Sequence, residues 1–219
     1  MNNRDIEKIL EILMTESSKW NAPVKVLKRR TSDPFKVLIG AIISTRTKDE
    51  VTAEVVERLF SHVKRPEDFL SMSETQIASL IYPCGFYRTK ARAIMGTART
   101  ILEAHGGKVP ETMEELLKLP GVGRKVANIV LSRVYGKKAI AVDTHVFRIS
   151  NRLGLVAAKK PVDAERELLK VLPESWHKEF NELLVAFGQV ICRPVKPKCD
   201  QCPIERYCPK IGVRIERKD

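Results

Sequence analysis

Four cysteines crowd toward the carboxy end of this 219-residue chain as Cys192-x6-Cys199-x2-Cys202-x5-Cys208, interleaved with Pro194, Pro197, Pro203 and Pro209. A stretch so rich in proline can neither continue a helix nor fill a sheet ladder. It reads as a loop of ligands. The amino end, Met1-Asn2-Asn3-Arg4-Asp5, lacks the continuous apolar stretch of a secretory signal, so the chain is expected to be intracellular, in cytoplasm or nucleoid. In that reducing setting the four thiols point to metal ligation instead of a disulfide framework. Both Zn²⁺ and a [4Fe–4S] cluster accept four thiolates. Only Cys199 and Cys202 form the short knuckle usual for structural zinc, which suits the wider cubane better but leaves both open. Cys84, alone in Tyr82-Pro83-Cys84-Gly85, reads as a packed free thiol.

The rest of the chain reads as helix after helix. Ile6, Ile9, Leu10 and Leu13 keep the i, i+3, i+4, i+7 spacing of an amphipathic helix. Asp33-Pro34 supplies a cap and a first-turn proline for a segment from Phe35 to Ile43, apolar on nearly every face and therefore central. Further helices are predicted around Val51 to Phe60, after the Ser73-Glu74-Thr75-Gln76 capping box, from about Arg88 to Gly106-Gly107, and after Thr112 up to Pro120. Others follow from Gly123 to Tyr135-Gly136, from Asp143 through Arg152, over Val162 to Leu172, and over Phe180 to Ile191. No period-2 strand stands out, and Ala139-Ile140-Ala141-Val142 is too short for periodicity to decide its type. The expected class is all-α. Composition locates no domain boundary, and no apolar run is long enough to span a bilayer.

Charge narrows the partner. Lys plus Arg is 39 against 27 Asp plus Glu, a net of +12, which favours a polyanion and nucleic acid first. In Leu119-Pro120-Gly121-Val122-Gly123, Gly121 and Gly123 can both take positive φ, and their amides together with the start of the following helix make a site for a phosphate oxygen. A lysine attacks carbon only as the free amine. Lys125 sits where a helix start and Arg124 both work against added positive charge, so the position suits a nucleophile. Asp143 offers a carboxylate that can relay protons and stabilise a cationic sugar, although Asp before Thr144-His145-Val146 is equally a helix cap.

Taken together, Leu119-Pro120-Gly121-Val122-Gly123-Arg124-Lys125, then Val142-Asp143-Thr144-His145, then the cysteine ending resemble the endonuclease III family of DNA glycosylases, in the helix-hairpin-helix superfamily. The resemblance runs from about Pro34-Phe35 to Cys208. It implies two helical domains flanking a DNA-binding cleft, one of six helices over 27–137 and one assembled from 1–26 plus 138–219 with a [4Fe–4S] cluster loop on Cys192, Cys199, Cys202 and Cys208. Lys125 matches the family's nucleophile and Asp143 its catalytic carboxylate, facing each other across that cleft. The implied activity is removal of oxidised pyrimidines such as thymine glycol, followed by β-elimination at the abasic site through a lysine Schiff base. The implied partner is double-stranded DNA with a damaged base or abasic site, bound by a monomer with no membrane involved.

Gly121, Val122 and Gly123 match the DNA-binding hairpin. A flipped base leaves a gap that side chains fill; by position Phe86 matches an apolar wedge and Arg46 a loop residue that is often Gln in relatives. Arg there is a departure that leaves the opposite-base preference open. His145 resembles a DNA-contacting position near the catalytic Asp, or a packing residue. Two alternatives stand beside this reading: a monofunctional mismatch glycosylase acting on adenine or thymine, whose relatives lack a nucleophile where Lys125 stands, and a non-catalytic DNA-binding protein.

Overall fold

In a computed structural model, which describes residues 3–24 and 31–214, the described residues form eleven α-helices and no strand. They are α1 (Asn3–Ser17), α2 (Pro34–Ser44), α3 (Asp49–His62), α4 (Pro66–Leu70), α5 (Glu74–Ile81), α6 (Tyr87–His105), α7 (Met113–Lys118), α8 (Arg124–Arg133), α9 (Thr144–Arg152), α10 (Pro161–Val171) and α11 (His177–Val190). Two compact units result, Val26–Lys137 and the two chain ends, Met1–Lys25 with Lys138–Asp219. A boundary at 26/27 lies outside the described residues.

The central unit is built around α2. Asp33 Oδ1 accepts the Lys36 N–H at 2.9 Å and Pro34 occupies the first turn, which fixes where this helix starts. Leu38, Ile39, Ile42 and Ile43 are then buried on more than one side, and α3, α6 and α8 pack against α2. An edge-on contact of the Phe35 and Phe69 rings, 5.8 Å between centroids, ties α2 to α4. Ser73 Oγ accepts the Gln76 N–H while Gln76 Oε1 accepts the Ser73 N–H, so the capping box of α5 forms as its sequence indicates. The five-residue α4 is too short for a periodicity to show. Its start is held by Asp68 Oδ2, which accepts the amides of Lys64 and Arg65.

Two predicted ends move. Helix α8 stops at Arg133, short of Tyr135, because Gly136 takes φ +60° and the Lys137 N–H reaches back to the Leu131 carbonyl at 2.9 Å, a glycine closure. Helix α11 begins at His177, three residues before Phe180, since the turn Glu174–Trp176 feeds directly into it. The Ala139–Val142 stretch is neither helix nor strand; it is buried backbone whose Ala141 carbonyl accepts from Asn181 Nδ2 at 2.7 Å.

In the unit made of the chain ends, Ile6, Ile9, Leu10 and Leu13 pack with Phe180, Leu184 and Phe187, and Trp20 tilts over Phe187 at 5.7 Å. Val146 and Ile149 bring α9 into the same core.

Helices α7 and α8 are joined by a turn in which the Val122 N–H bonds the Leu119 carbonyl at 3.1 Å. Gly121 sits at φ +76°, and a Cβ there would lie 2.8 Å from Ala93 Cβ on α6. Gly123 does not take positive φ as expected; at φ −101°, ψ 176° it is extended backbone that caps α8. A helix cap needs β-region dihedrals, so only one of the two glycines has to turn left-handed. Pro120 packs on Gly96 and its carbonyl accepts from Thr97 Oγ1 at 2.7 Å, which fastens the turn to α6. Gly121→Ala is expected to cost about 1–3 kcal/mol through left-handed strain and overpacking. A thermal melt checks it, and an unchanged Tm would mean that the turn relaxes freely.

Candidate functional site

At the hairpin, Gly121 and Gly123 are exposed while the Val122 side chain is buried and its amide is already bonded to Leu119. Of the predicted trio, the two glycines therefore offer backbone to a ligand, and Val122 anchors the turn. Among the described residues no hydrogen bond engages the amides of Gly123 or Lys125, as expected for the first turn of a helix. The space beside Gly123 is open, so an anion can approach closely. Lys125, second residue of α8, is half-buried at this positive helix end.

A second cluster in the same unit joins Arg46 and Phe86. Both adopt left-handed backbone, φ 52° and 59°, which is uncommon for residues with a side chain. Phe86 is 61% exposed, so core packing does not account for it, and the Arg46 guanidinium lies 5.4 Å from its ring centroid. The Arg46 and Phe86 loops interlock at their backbones: the Gly85 N–H donates to Thr47 Oγ1 at 3.1 Å, and a Cβ on Gly85 would collide with the Arg46 carbonyl at 2.4 Å. Beneath them lies Lys90, a buried lysine that the sequence reading passed over. Burial holds its ammonium below the ordinary lysine range, and burial pushes the neighbouring Cys84 thiol up. In a run such as Arg88-Thr89-Lys90-Ala91 nothing marks one basic residue as inward-facing except its place on the apolar face of α6.

Asp143 does cap α9. Its Oδ1 accepts the amides of His145 and Val146, each at 2.9 Å, and among the described residues no hydrogen bond engages Oδ2. The capping role and a chemical role are thus compatible, one oxygen for each. His145 lies against α11, where a Cβ on Gly188 would fall 2.5 Å from its Nδ1, and Arg148 Nη2 is 3.3 Å from the same nitrogen.

Farther along α9, two arginines reach the start of the cysteine loop. Arg148 Nη2 donates to the Cys192 carbonyl at 2.9 Å. Arg152, 9% exposed, donates to the carbonyls of Arg193 at 2.6 Å and Pro194 at 2.9 Å, and to Cys192 Sγ at 3.5 Å. All four predicted cysteines line one cavity, with Leu153, Phe187 and Ile204 in its apolar wall. Among the described residues no three His, Cys, Asp or Glu side chains close on a single point as ligands of one ion do. Burial pushes the Cys202 thiol up to about 11, reinforced by the other three, and Cys199 and Cys208 are raised by burial as well. Thiols raised in this way become thiolates only against compensating positive charge, such as a metal supplies. The structure thus pairs Arg46 with Phe86 and sets the four cysteines around one cavity without closing them on a single point; Lys125 belongs to the central unit and Asp143 to the unit of the chain ends.

Comparison with known proteins gives a consistent picture. The family model described as "HhH-GPD superfamily base excision DNA repair protein" matches residues 39–174. An endonuclease III of Thermotoga maritima is 45% identical over 179 residues, 82% of this chain and 84% of that protein. Among solved structures, a non-covalent endonuclease III–DNA complex superposes with a TM-score of 0.84 at 31% identity, covering 96% of each chain. A trapped endonuclease III–DNA covalent intermediate does so with a TM-score of 0.83 at 31% identity, covering 96% of this chain and 97% of that one.

Proposed function

The chain belongs to the HhH-GPD superfamily of base excision DNA repair proteins, in its endonuclease III family, and on that footing we propose that Lys125 and Asp143 carry out its chemistry. The protein is a DNA glycosylase with abasic-site lyase activity. Its substrate in this reading is an oxidised pyrimidine such as thymine glycol in duplex DNA, acted on inside the cell by a monomer. The observation that carries the reading is Lys125 itself, an amine on the first turn of α8 directly after an exposed glycine turn, in a chain of the same fold as an endonuclease III caught covalently on DNA.

Phosphate oxygens beside the damaged nucleotide meet the exposed backbone at Gly121, the open amide of Gly123 and the positive end of α8. Once the base is extruded, Arg46 and Phe86 fill the gap. The free amine of Lys125 attacks C1′ as the C1′–N bond to the base breaks, and the departing base takes up a proton. Asp143 Oδ2 stabilises the positive charge that builds on the sugar and moves the protons, while Oδ1 stays on its two amides and keeps the carboxylate oriented. Opening of the sugar ring at O4′ gives the iminium. Loss of a C2′ proton then expels the 3′ phosphate by cleavage of the C3′–O bond, and water releases the lysine.

The ligand set fits a [4Fe–4S] cluster: four thiols share one apolar cavity, and N–H donors from Arg152 and the Lys210 backbone already point at Cys192 Sγ and Cys208 Sγ. Cys192, Cys199, Cys202 and Cys208 would hold it. The cluster would supply structural order to the loop, with no step of the reaction passing through it. His145 lies on the residue stretch that follows Asp143 and shapes the DNA approach from there, packed on Gly188.

Treating the enzyme with borohydride on abasic DNA should trap a covalent adduct with wild type and none with Lys125→Gln; an undiminished adduct in the variant takes the nucleophile's role from Lys125. In Asp143→Asn the amide oxygen still caps α9, so the fold and DNA affinity should persist while excision falls about 10²-fold. Equal single-turnover rates would contradict the role of Oδ2. Pure protein should contain about four iron and four sulfide per chain with broad visible absorption; one zinc and no sulfide would replace the cubane.

A further inference from the structure

Lys90 stands in the first turn of α6 at 5% exposure, a rare setting for an ammonium. Its Nζ donates to the Ile43 carbonyl at 2.7 Å, the Thr45 carbonyl at 2.6 Å and Thr47 Oγ1 at 2.8 Å, so all three of its protons are used. The two carbonyls belong to the end of α2 and its cap, where a helix leaves acceptors unpaired and its dipole favours a cation. Thr47 Oγ1 accepts a second hydrogen bond from the Gly85 N–H, one residue before Phe86. One ammonium therefore grips the backbone before Arg46 and the side chain after it, and that side chain in turn grips the backbone leading to Phe86.

We propose that Lys90 is a positioning residue for base extrusion, holding Arg46 and Phe86 in their stacked, left-handed arrangement so that they enter the duplex as a preformed wedge. The proposal rests on the reading of that pair as gap fillers. Left-handed residues with side chains persist only where their surroundings over-determine them. Here the over-determination is the Lys90 hydrogen-bond set, together with the close approach of Gly85 to the Arg46 carbonyl. A wedge ordered in advance does not lose that ordering entropy again when it meets DNA. The chemistry at a sugar already out of the stack does not draw on it.

The experiment compares the full-length wild type with Lys90→Met, Thr47→Val and Phe86→Ala under single turnover. One substrate is duplex DNA with thymine glycol and a neighbouring 2-aminopurine whose fluorescence reports unstacking. The other is single-stranded DNA with an abasic site, which has no stack to open. Lys90→Met should slow both duplex excision and the fluorescence rise at least tenfold while cleaving the single-stranded abasic site within twofold of wild type. Thr47→Val should show the same split at about threefold, and it decides alone if Lys90→Met does not fold. Unchanged duplex excision in the folded variant, or an equal loss on both substrates, overturns the proposal. Normal duplex excision by Phe86→Ala removes the wedge reading and this proposal with it. A slow Phe86→Ala beside a normal Lys90→Met leaves the wedge and removes only Lys90.

Discussion

A left-handed glycine turn packed against a neighbouring helix decides where the amine of this protein can be. Gly121 has φ +76° and no room for a Cβ beside Ala93, so α7 and α8 meet at a fixed angle on α6. Because the turn is that tight, Gly123 can cap α8 in extended backbone, and Lys125 falls on the first turn, two residues after the open Gly123 amide. The same geometry therefore provides the anion site proposed above and sets a lysine next to it. In water a phosphate and an amine gain little from proximity; at a helix terminus the dipole and the amides act together on the phosphate.

In the other unit, α9 plays the matching part. Its N-cap is Asp143, and its later turns carry Arg148 and Arg152, whose guanidinium groups hold carbonyls of Cys192, Arg193 and Pro194. The carboxylate and the entrance to the cysteine loop thus share one short rigid element. Under the proposed metal ligation, order imposed on the loop at its thiols would pass to α9 through these charge-assisted hydrogen bonds, which are stronger than neutral ones and depend on direction. In the proposed reading this helix connects a structural role for metal with a catalytic role for Asp143, without any redox step.

Much of this was legible in the residues. The Ile6, Ile9, Leu10, Leu13 spacing, the Asp33-Pro34 start and the Ser73 capping box each describe interactions within a few residues, and local physics settles them. The all-helical class followed from successive helical spacings and caps, the polyanionic partner from net charge, and the family from motifs whose order along the chain is specific. What escaped was set by tertiary partners. Gly123 shares its sequence context with Gly121 and differs only in what the helix after it requires. Lys90 reads as one more surface charge until α2 lays two carbonyls beside it. Arg148 and Arg152 are visibly on one face of α9, yet the sequence holds no sign that the face meets the cysteine loop. Exposure of Phe86 was expected only through its match to a wedge position in the resembling family, since by residue type alone an apolar residue ahead of a helix more often packs inward.

The chemistry of this enzyme turns on which nitrogen bonds to the sugar. Tryptic digestion of the borohydride-reduced enzyme–DNA adduct, followed by tandem mass spectrometry, reads that nitrogen directly. A deoxyribose remnant on the peptide containing Lys125, and on that side chain, is the predicted result. The remnant on the amino-terminal amine or on another lysine, with the Lys125 peptide unmodified, would contradict it.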